Sequence, residues 1–120
     1  DPSGAVANAF AAFHHIAGGV AEKNSNRVAN AAEIVIAGGL HSGPALVGAF
    51  GDDRRLEFTA LGKTVNVTSR FEAIAKEGDL RLVVSEYSLN SSALDQSKFK
   101  DLGTVAVRGV AEPIKIAGLD

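Results

Sequence analysis

Cysteine, methionine and tryptophan are absent from this chain, tyrosine occurs once and proline three times. Without cysteine there is no disulfide framework and no thiolate metal site, a usage that matches a cytoplasmic compartment, which is the expected location. No apolar run approaches the ~18 residues that a membrane span needs, and no signal-peptide pattern occurs, so this domain itself is expected to make no membrane contact. An excess of positive charge is also missing. Twelve Lys and Arg stand against 14 Asp and Glu, for a net charge of −2, which offers nothing to nucleic acid. Neither G-x-x-x-x-G-K-[ST] nor a G-x-G-x-x-G following a strand occurs, so the common phosphate-cradling loops are excluded. The lack of methionine, with a start at Asp1-Pro2, reads as a fragment or processed piece.

What remains is an Ala/Val-rich chain of 120 residues, 46% hydrophobic, which suits a single domain over residues 1–120. Such a chain buries roughly two-thirds of its unfolded surface. Asp1-Pro2-Ser3 reads as a turn and cap. Val6, Phe10, Phe13, Ala17 and Val20 then recur at helical steps, predicting an amphipathic helix to about Ala21 or Glu22. His14 and His15 are neighbours in it and point about 100° apart, so they form no ligand pair.

Glu22 to Asn30 reads as a polar loop, Glu33 to Leu40 as a strand, and Ala45 to Phe50 as strand or loop. Gly38 and Gly39 mark a strand end where another backbone or a ligand approaches closely. His41 is read as a packed or hydrogen-bonded residue rather than a metal ligand or base. A charged turn at Gly51 to Arg55 follows. Beyond the central stretch described next, Glu77 to Asp79 is a C-cap turn and Leu80 to Val84 a buried strand. Ser85 caps a short helix over Glu86 to about Leu94, and Ser91 to Lys98 is loop. Phe99 to Arg108 and Pro113 to Ala117 form an antiparallel hairpin, with Thr104, Ala106 and Arg108 on one strand face. The class is α+β, with one mostly antiparallel sheet and helices packed on it.

The centre of the chain is Leu56 to Glu72, L-E-F-T-A-L-G-K-T-V-N-V-T-S-R-F-E. An alternating run over Leu56 to Leu61 predicts a strand, Gly62 breaks it, and Thr64 is the expected helix cap. Val67, Phe71 and Ile74 fall at i, i+4 and i+7 and form one apolar stripe. Asn66 and Arg70 sit four apart on a different face, so an amide and a guanidinium project together. An ordinary solvated face is the plain alternative for that pair.

Three segments decide against it: G-L-H-S-G-P-A-L-V-G-A-F-G over Gly39 to Gly51, the central stretch from Arg55, and L-G-T-V-A-V-R-G-V-A-E-P-I-K-I-A-G-L over Leu102 to Leu119. With G-x-H-x-G-P and G-x-T-V-N-x-x-S-R-x-E in this order and spacing, the chain resembles the C-terminal two-thirds of a class III nucleotidyl cyclase domain. The resemblance implies a ferredoxin-like cyclase fold whose N-terminal strands are absent here. It implies conversion of ATP to cyclic AMP and pyrophosphate in signal transduction, at the interface of a head-to-tail homodimer or with a second cyclase domain. Asn66 falls on the ribose-orienting position and Arg70 on the transition-state arginine. Thr59 falls on a base-reading position, where threonine favours ATP, and Arg108 falls where a basic residue commonly meets the phosphates.

The family also uses two Mg²⁺ or Mn²⁺ ions held by aspartates on strands that would precede this chain, together with a base-reading lysine there. Asp52, Asp53, Asp79 and Asp101 stand at other positions. The chain is therefore read as the nucleotide-orienting half of the site and as inactive alone. A non-catalytic cyclase-like nucleotide-binding or dimerisation module and a guanylate cyclase stay open as alternatives.

Overall fold

The computed structural model describes residues 2–120, apart from the side chains of Pro2, Ser3, Arg55, Phe58 and Thr59. Helix α1 spans Pro2–Ser25 and is followed by strands β1 (Gly38–Leu40), β2 (Leu46–Asp52) and β3 (Arg55–Leu61). Helix α2 covers Lys63–Glu77, strand β4 Leu82–Ser85 and helix α3 Glu86–Asn90. A single 3₁₀ turn at Gln96–Lys98 leads into β5 (Lys100–Val105) and β6 (Ile114–Leu119). The α+β class holds. The single expected sheet is in fact two: a four-stranded sheet ordered β1-β4-β6-β5 and a separate β2-β3 hairpin. β1 runs parallel to β4, and the other ladders are antiparallel. Among the described residues no helix is long and apolar enough to cross a membrane.

Alternation along β1 decides how the layers stack. Gly38 pairs with Leu82 and Leu40 with Val84, on one face, while Gly39 pairs with Val83 on the other. A Cβ at Gly38 would lie 3.0 Å from the Phe13 ring of α1, whereas one at Gly39 would lie 2.8 Å from the Glu72 backbone nitrogen and 2.9 Å from Phe71 Cβ of α2. So α1 covers one side of the strand and α2 the other. The expected close approach at the paired glycines is real, and at Gly39 it is helix backbone that comes close. On the α2 side Val67, Phe71 and Ala75 are buried with Leu80, Val83, Val107 and Ile116, and Ile74 packs at the margin. On the α1 side Val84, Leu89 and Ala117 form a smaller cluster with Leu40, Leu94 and Phe99.

Several expected boundaries move, each for a local reason. The cap at Asp1 lies outside the described residues. α1 continues to Ser25, and the strand expected from Glu33 begins only at Gly38. The amide of Asn24 explains the delay: its Nδ2 donates to the Ile34 carbonyl at 2.9 Å and its Oδ1 accepts from the Ile34 N–H at 2.8 Å, which removes both groups from any ladder. Ala45 to Phe50 resolves as strand, because β2 zips against β3 from Leu46↔Leu61 to Asp52↔Arg55 around the charged tip. α3 stops at Asn90 rather than near Leu94, since Ser91 and Ser92 hydroxyls bond back to the Ser88 and Leu89 carbonyls. Ser85 caps that helix as expected, accepting from the Ser88 N–H.

Gly39 gives a direct test of this packing. Gly39→Ala is expected to cost about 2 kcal/mol, because rigid helix backbone must move to admit a methyl group. Gly19→Ala, in α1 with open space around its Cβ position, is expected to be neutral or to stabilise by up to about 1 kcal/mol through helix propensity. Denaturant melts of the two variants check the contrast, and similar effects at both sites would show that α2 does not rest on β1 through Gly39.

Candidate active site

Helix α2 begins directly after β3, at Gly62. That residue, at φ 133°, is the N-cap, and no side chain caps the helix. A φ in that range suits glycine alone, so the strand-to-helix corner depends on it. Thr64 is therefore not the cap. It lies in the first turn of α2, and its hydroxyl donates to the Pro44 carbonyl at 2.6 Å. That bond ties the start of the helix to the 41–45 segment, and Gly43 permits it, since a Cβ there would meet Thr64 Oγ1 at 2.6 Å.

With its apolar stripe in the core, α2 turns Asn66 and Arg70 outward, and both are exposed. Arg70 Nη1 stands 3.9 Å from Glu77 Oε1, with side chains 44% and 70% exposed. At that distance and exposure the pair contributes little and breaks at small cost. It leans the guanidinium toward the C-terminal half of the helix, so the structure puts the two heads on one side of α2 without joining them. Thr59 pairs with Gly48 in the hairpin ladder, and its side chain is outside the described residues. Arg108 was expected on a strand face. β5 ends at Val105, and Arg108 sits in the connection beyond it, exposed. The strand ends there because Val107 turns into the core and its carbonyl accepts from the Val110 N–H at 3.0 Å. Val107 and Val110 both join the α2 cluster, which sets the connection carrying Arg108 on the α2 side of the sheet.

Among the described residues no three His, Cys, Asp or Glu side chains gather as a metal site. Asp52 and Asp53 are at the hairpin tip, Asp79 follows α2, and Asp101 in β5 accepts from the Gly103 N–H. These carboxylates do not fit a pair of divalent cations, and no step through a cation is assigned to them.

Sequence reasoning treated His41 singly and missed what surrounds it. His41 Nδ1 lies 2.7 Å from Ser85 Oγ, Ser85 Oγ donates to Ser88 Oγ at 2.8 Å, and Ser88 Oγ accepts from the Ser42 N–H at 2.9 Å. The imidazole meets the Phe71 ring edge-on at 5.7 Å, and burial lowers its pKa below the ordinary 6.5. The packed, hydrogen-bonded reading of His41 is borne out. Only the i, i+3 spacing of Ser85 and Ser88 hinted at the rest. His41 and Ser42 also face an open cleft of about 710 Å³ between α1 and α2, lined by Val6, Leu40, Thr64 and Thr68 among others. Asn66 and Arg70 do not line it; they point from the other side of the helix.

Comparison with known proteins adds an independent line. Residues 8–117 match the family described as adenylate and guanylate cyclase catalytic domain. Adenylate cyclase 1 of Rhizobium meliloti (strain 1021) is 37% identical over 78 residues, which is 65% of this chain and 12% of that protein. Two solved structures are similar at 25% identity over 67% of this chain. A bacterial light-regulated adenylyl cyclase has a TM-score of 0.54 with 22% of its chain covered. The adenylyl cyclase CyaB from P. aeruginosa has a TM-score of 0.52 with 39% covered. The chain thus spans well under two-thirds of the length of each of these three proteins.

The lowered His41 pKa carries a pH consequence. Below about pH 6.5 the unfolded chain takes up a proton on this imidazole before the folded chain does, so stability falls as the solution is acidified and the loss levels off below the folded pKa. Thermal melts at pH 8 and pH 5 are expected to differ less for His41→Asn than for the parent. Equal differences would place the acid sensitivity elsewhere.

Proposed function

This chain belongs to the family of adenylate and guanylate cyclase catalytic domains, and we propose that it supplies the nucleotide-orienting half of an adenylate cyclase site. The observation that carries the reading is α2 itself. Buried Val67, Phe71 and Ala75 hold one face in the core, while Asn66 and Arg70 stand exposed one turn apart on another. A helix fixed along its length presents two polar heads without much freedom left to lose on binding.

In the proposed reaction the ribose 3′-oxygen of ATP attacks the α-phosphorus, the bond to the bridging oxygen breaks, and pyrophosphate leaves as cyclic AMP forms. Asn66 both donates to and accepts from the ribose and sets the direction of attack. Arg70 offers a planar pair of N–H groups to the phosphoryl oxygens as negative charge shifts onto them. Arg108 adds positive charge from the connection after β5, and Thr59 reads the adenine edge. Two Mg²⁺ or Mn²⁺ ions would supply charge neutralisation when bound, and the described carboxylates are not gathered to hold them.

Assembly as a head-to-tail dimer, or with a second cyclase domain, belongs to the same reading. The β2-β3 hairpin supports it. A two-stranded ribbon is marginal in water by itself, and this one leaves Leu46, Val47, Leu56 and Leu61 exposed over both faces. Such surface favours a protein partner. A second reading, a non-catalytic cyclase-like module that binds nucleotide or pairs with an active partner, rests on the same exposed hairpin. On either reading the chain alone turns over no nucleotide.

Two measurements test the proposal in the full-length protein. Arg70→Ala is expected to lower kcat by roughly 10²-fold, with fold and ATP affinity nearly unchanged, because the guanidinium acts on developing charge. A drop in melting temperature with unaltered kcat would assign Arg70 to packing instead. Initial rates with ATP and GTP are expected to differ by well over tenfold in favour of ATP, since hydrogen-bond reading of a base edge discriminates strongly. Comparable rates would leave Thr59 as a strand residue only and reopen the guanylate alternative.

A further inference from the structure

We propose that His41 is a positioning residue for the nucleotide-facing side of α2, acting through a hydrogen-bonded relay of Ser85, Ser88 and Ser42 and through the Pro44–Thr64 bond. The inference rests on the reading that Asn66 and Arg70 meet the nucleotide, and it adds how those two are held.

The relay has a direction. Each serine hydroxyl has one proton. Ser85 Oγ donates to Ser88 Oγ at 2.8 Å and accepts from the Ser88 N–H at 3.3 Å. With its proton engaged, Ser85 Oγ can only accept from His41, so Nδ1 carries the hydrogen in the 2.7 Å contact. Ser88 Oγ, which already accepts from Ser85 and from the Ser42 N–H, donates its own proton to Ser42 Oγ at 3.0 Å. Every proton then has one destination. His41 is the Nδ1–H tautomer, and its lowered pKa agrees with a neutral ring. Ser85 and Ser88 are completely buried, so water does not compete for these bonds, and breaking one leaves a buried polar atom unpaired.

The relay ends on a mechanical link. It fixes residues 41 and 42 to the junction of β4 and α3, where Leu82, Val83, Val84 and Ser85 are all buried. Two residues later Pro44 accepts from Thr64, and Thr68 donates to the Thr64 carbonyl at 2.8 Å. Asn66 lies between Thr64 and Thr68 in that same turn. The imidazole edge on Phe71 gives a second hold on α2, next to Arg70. His41 thus touches the helix directly at Phe71 and indirectly at Thr64, on both sides of the exposed pair.

The test uses the full-length protein. Imidazole ¹⁵N resonances are expected to show His41 as the Nδ1–H tautomer, and an Nε2–H tautomer would overturn the relay. His41→Asn keeps a donor near the Nδ1 position and is expected to retain kcat within about threefold, whereas His41→Leu is expected to lower kcat roughly tenfold with KM for ATP changed less than twofold. Amide exchange across residues 63–70 should quicken in His41→Leu and not in His41→Asn. Parental kcat in His41→Leu, or equal losses in both variants, would overturn the proposal. Should His41→Leu fail to fold, Thr64→Val removes the outer link while keeping shape, and it must lower kcat without raising KM. If Arg70→Ala leaves kcat unaltered, the nucleotide reading of α2 fails, while the tautomer and the exchange pattern still decide whether the relay holds the helix.

Discussion

The rest of the structure depends on how closely α2 lies on β1. Gly39 brings helix backbone to within van der Waals reach of the strand, and only a residue without a side chain permits that. The closeness puts Phe71, completely buried, over the sheet among Val67, Ala75 and Val83. Burial of a phenylalanine contributes on the order of 2–3 kcal/mol, so this contact is a large share of what a small domain has to spare. His41 then meets Phe71 edge-on, and Thr64 reaches Pro44. A helix even a few ångströms further out would lose all three.

From that contact follows a division of labour around one helix. Fifteen residues of α2 carry three faces: an apolar one in the core, a threonine-bearing one toward the cleft with α1, and an open one with Asn66 and Arg70. Core and cleft faces fix where the helix sits and how it is rotated. The open face takes no part in fixing it, and the Arg70–Glu77 ion pair there is loose and solvated. Such a face is free to serve a ligand without cost to the fold, which is the arrangement a charge-stabilising site needs.

Sequence pattern made the α2 stripe legible because Val67, Phe71 and Ile74 follow the helical period and have no strand alternative. It also gave the α+β class, the Ser85 cap and the meaning of Gly39. Where it failed, long-range or side-chain competition decided. Asn24 closes on Ile34 across ten residues and cancels the first part of a strand that β-branched residues favour. Thr64 resembled a cap but is drawn to Pro44, because Gly62 already makes the corner. One sheet became two since β2 and β3 pair only with each other. The serine relay was invisible because its members come from residues 41–42 and 85–88, and nothing local links those segments. Asn66 and Arg70 were legible as a pair, yet the chemistry proposed for them rests on the family motif alone.

The exposed apolar surface is distributed unevenly, and that bears on how the proposed two-part site would assemble. The four-stranded sheet and α2 close over their own core, so the open face of α2 has its geometry before any partner arrives. The β2-β3 hairpin exposes Leu46, Val47, Leu56 and Leu61 over both faces, so it has most to gain from association. A dimer built through the hairpin would therefore order the hairpin while leaving α2 unchanged, and the conformational cost of assembly would fall on the recognition element rather than on Asn66 and Arg70. β3 leads directly through Gly62 into α2, and the Pro44–Thr64 bond already holds the first turn of the helix without a partner. On the proposed reading, a partner drawn to the hairpin would therefore meet Asn66 already oriented.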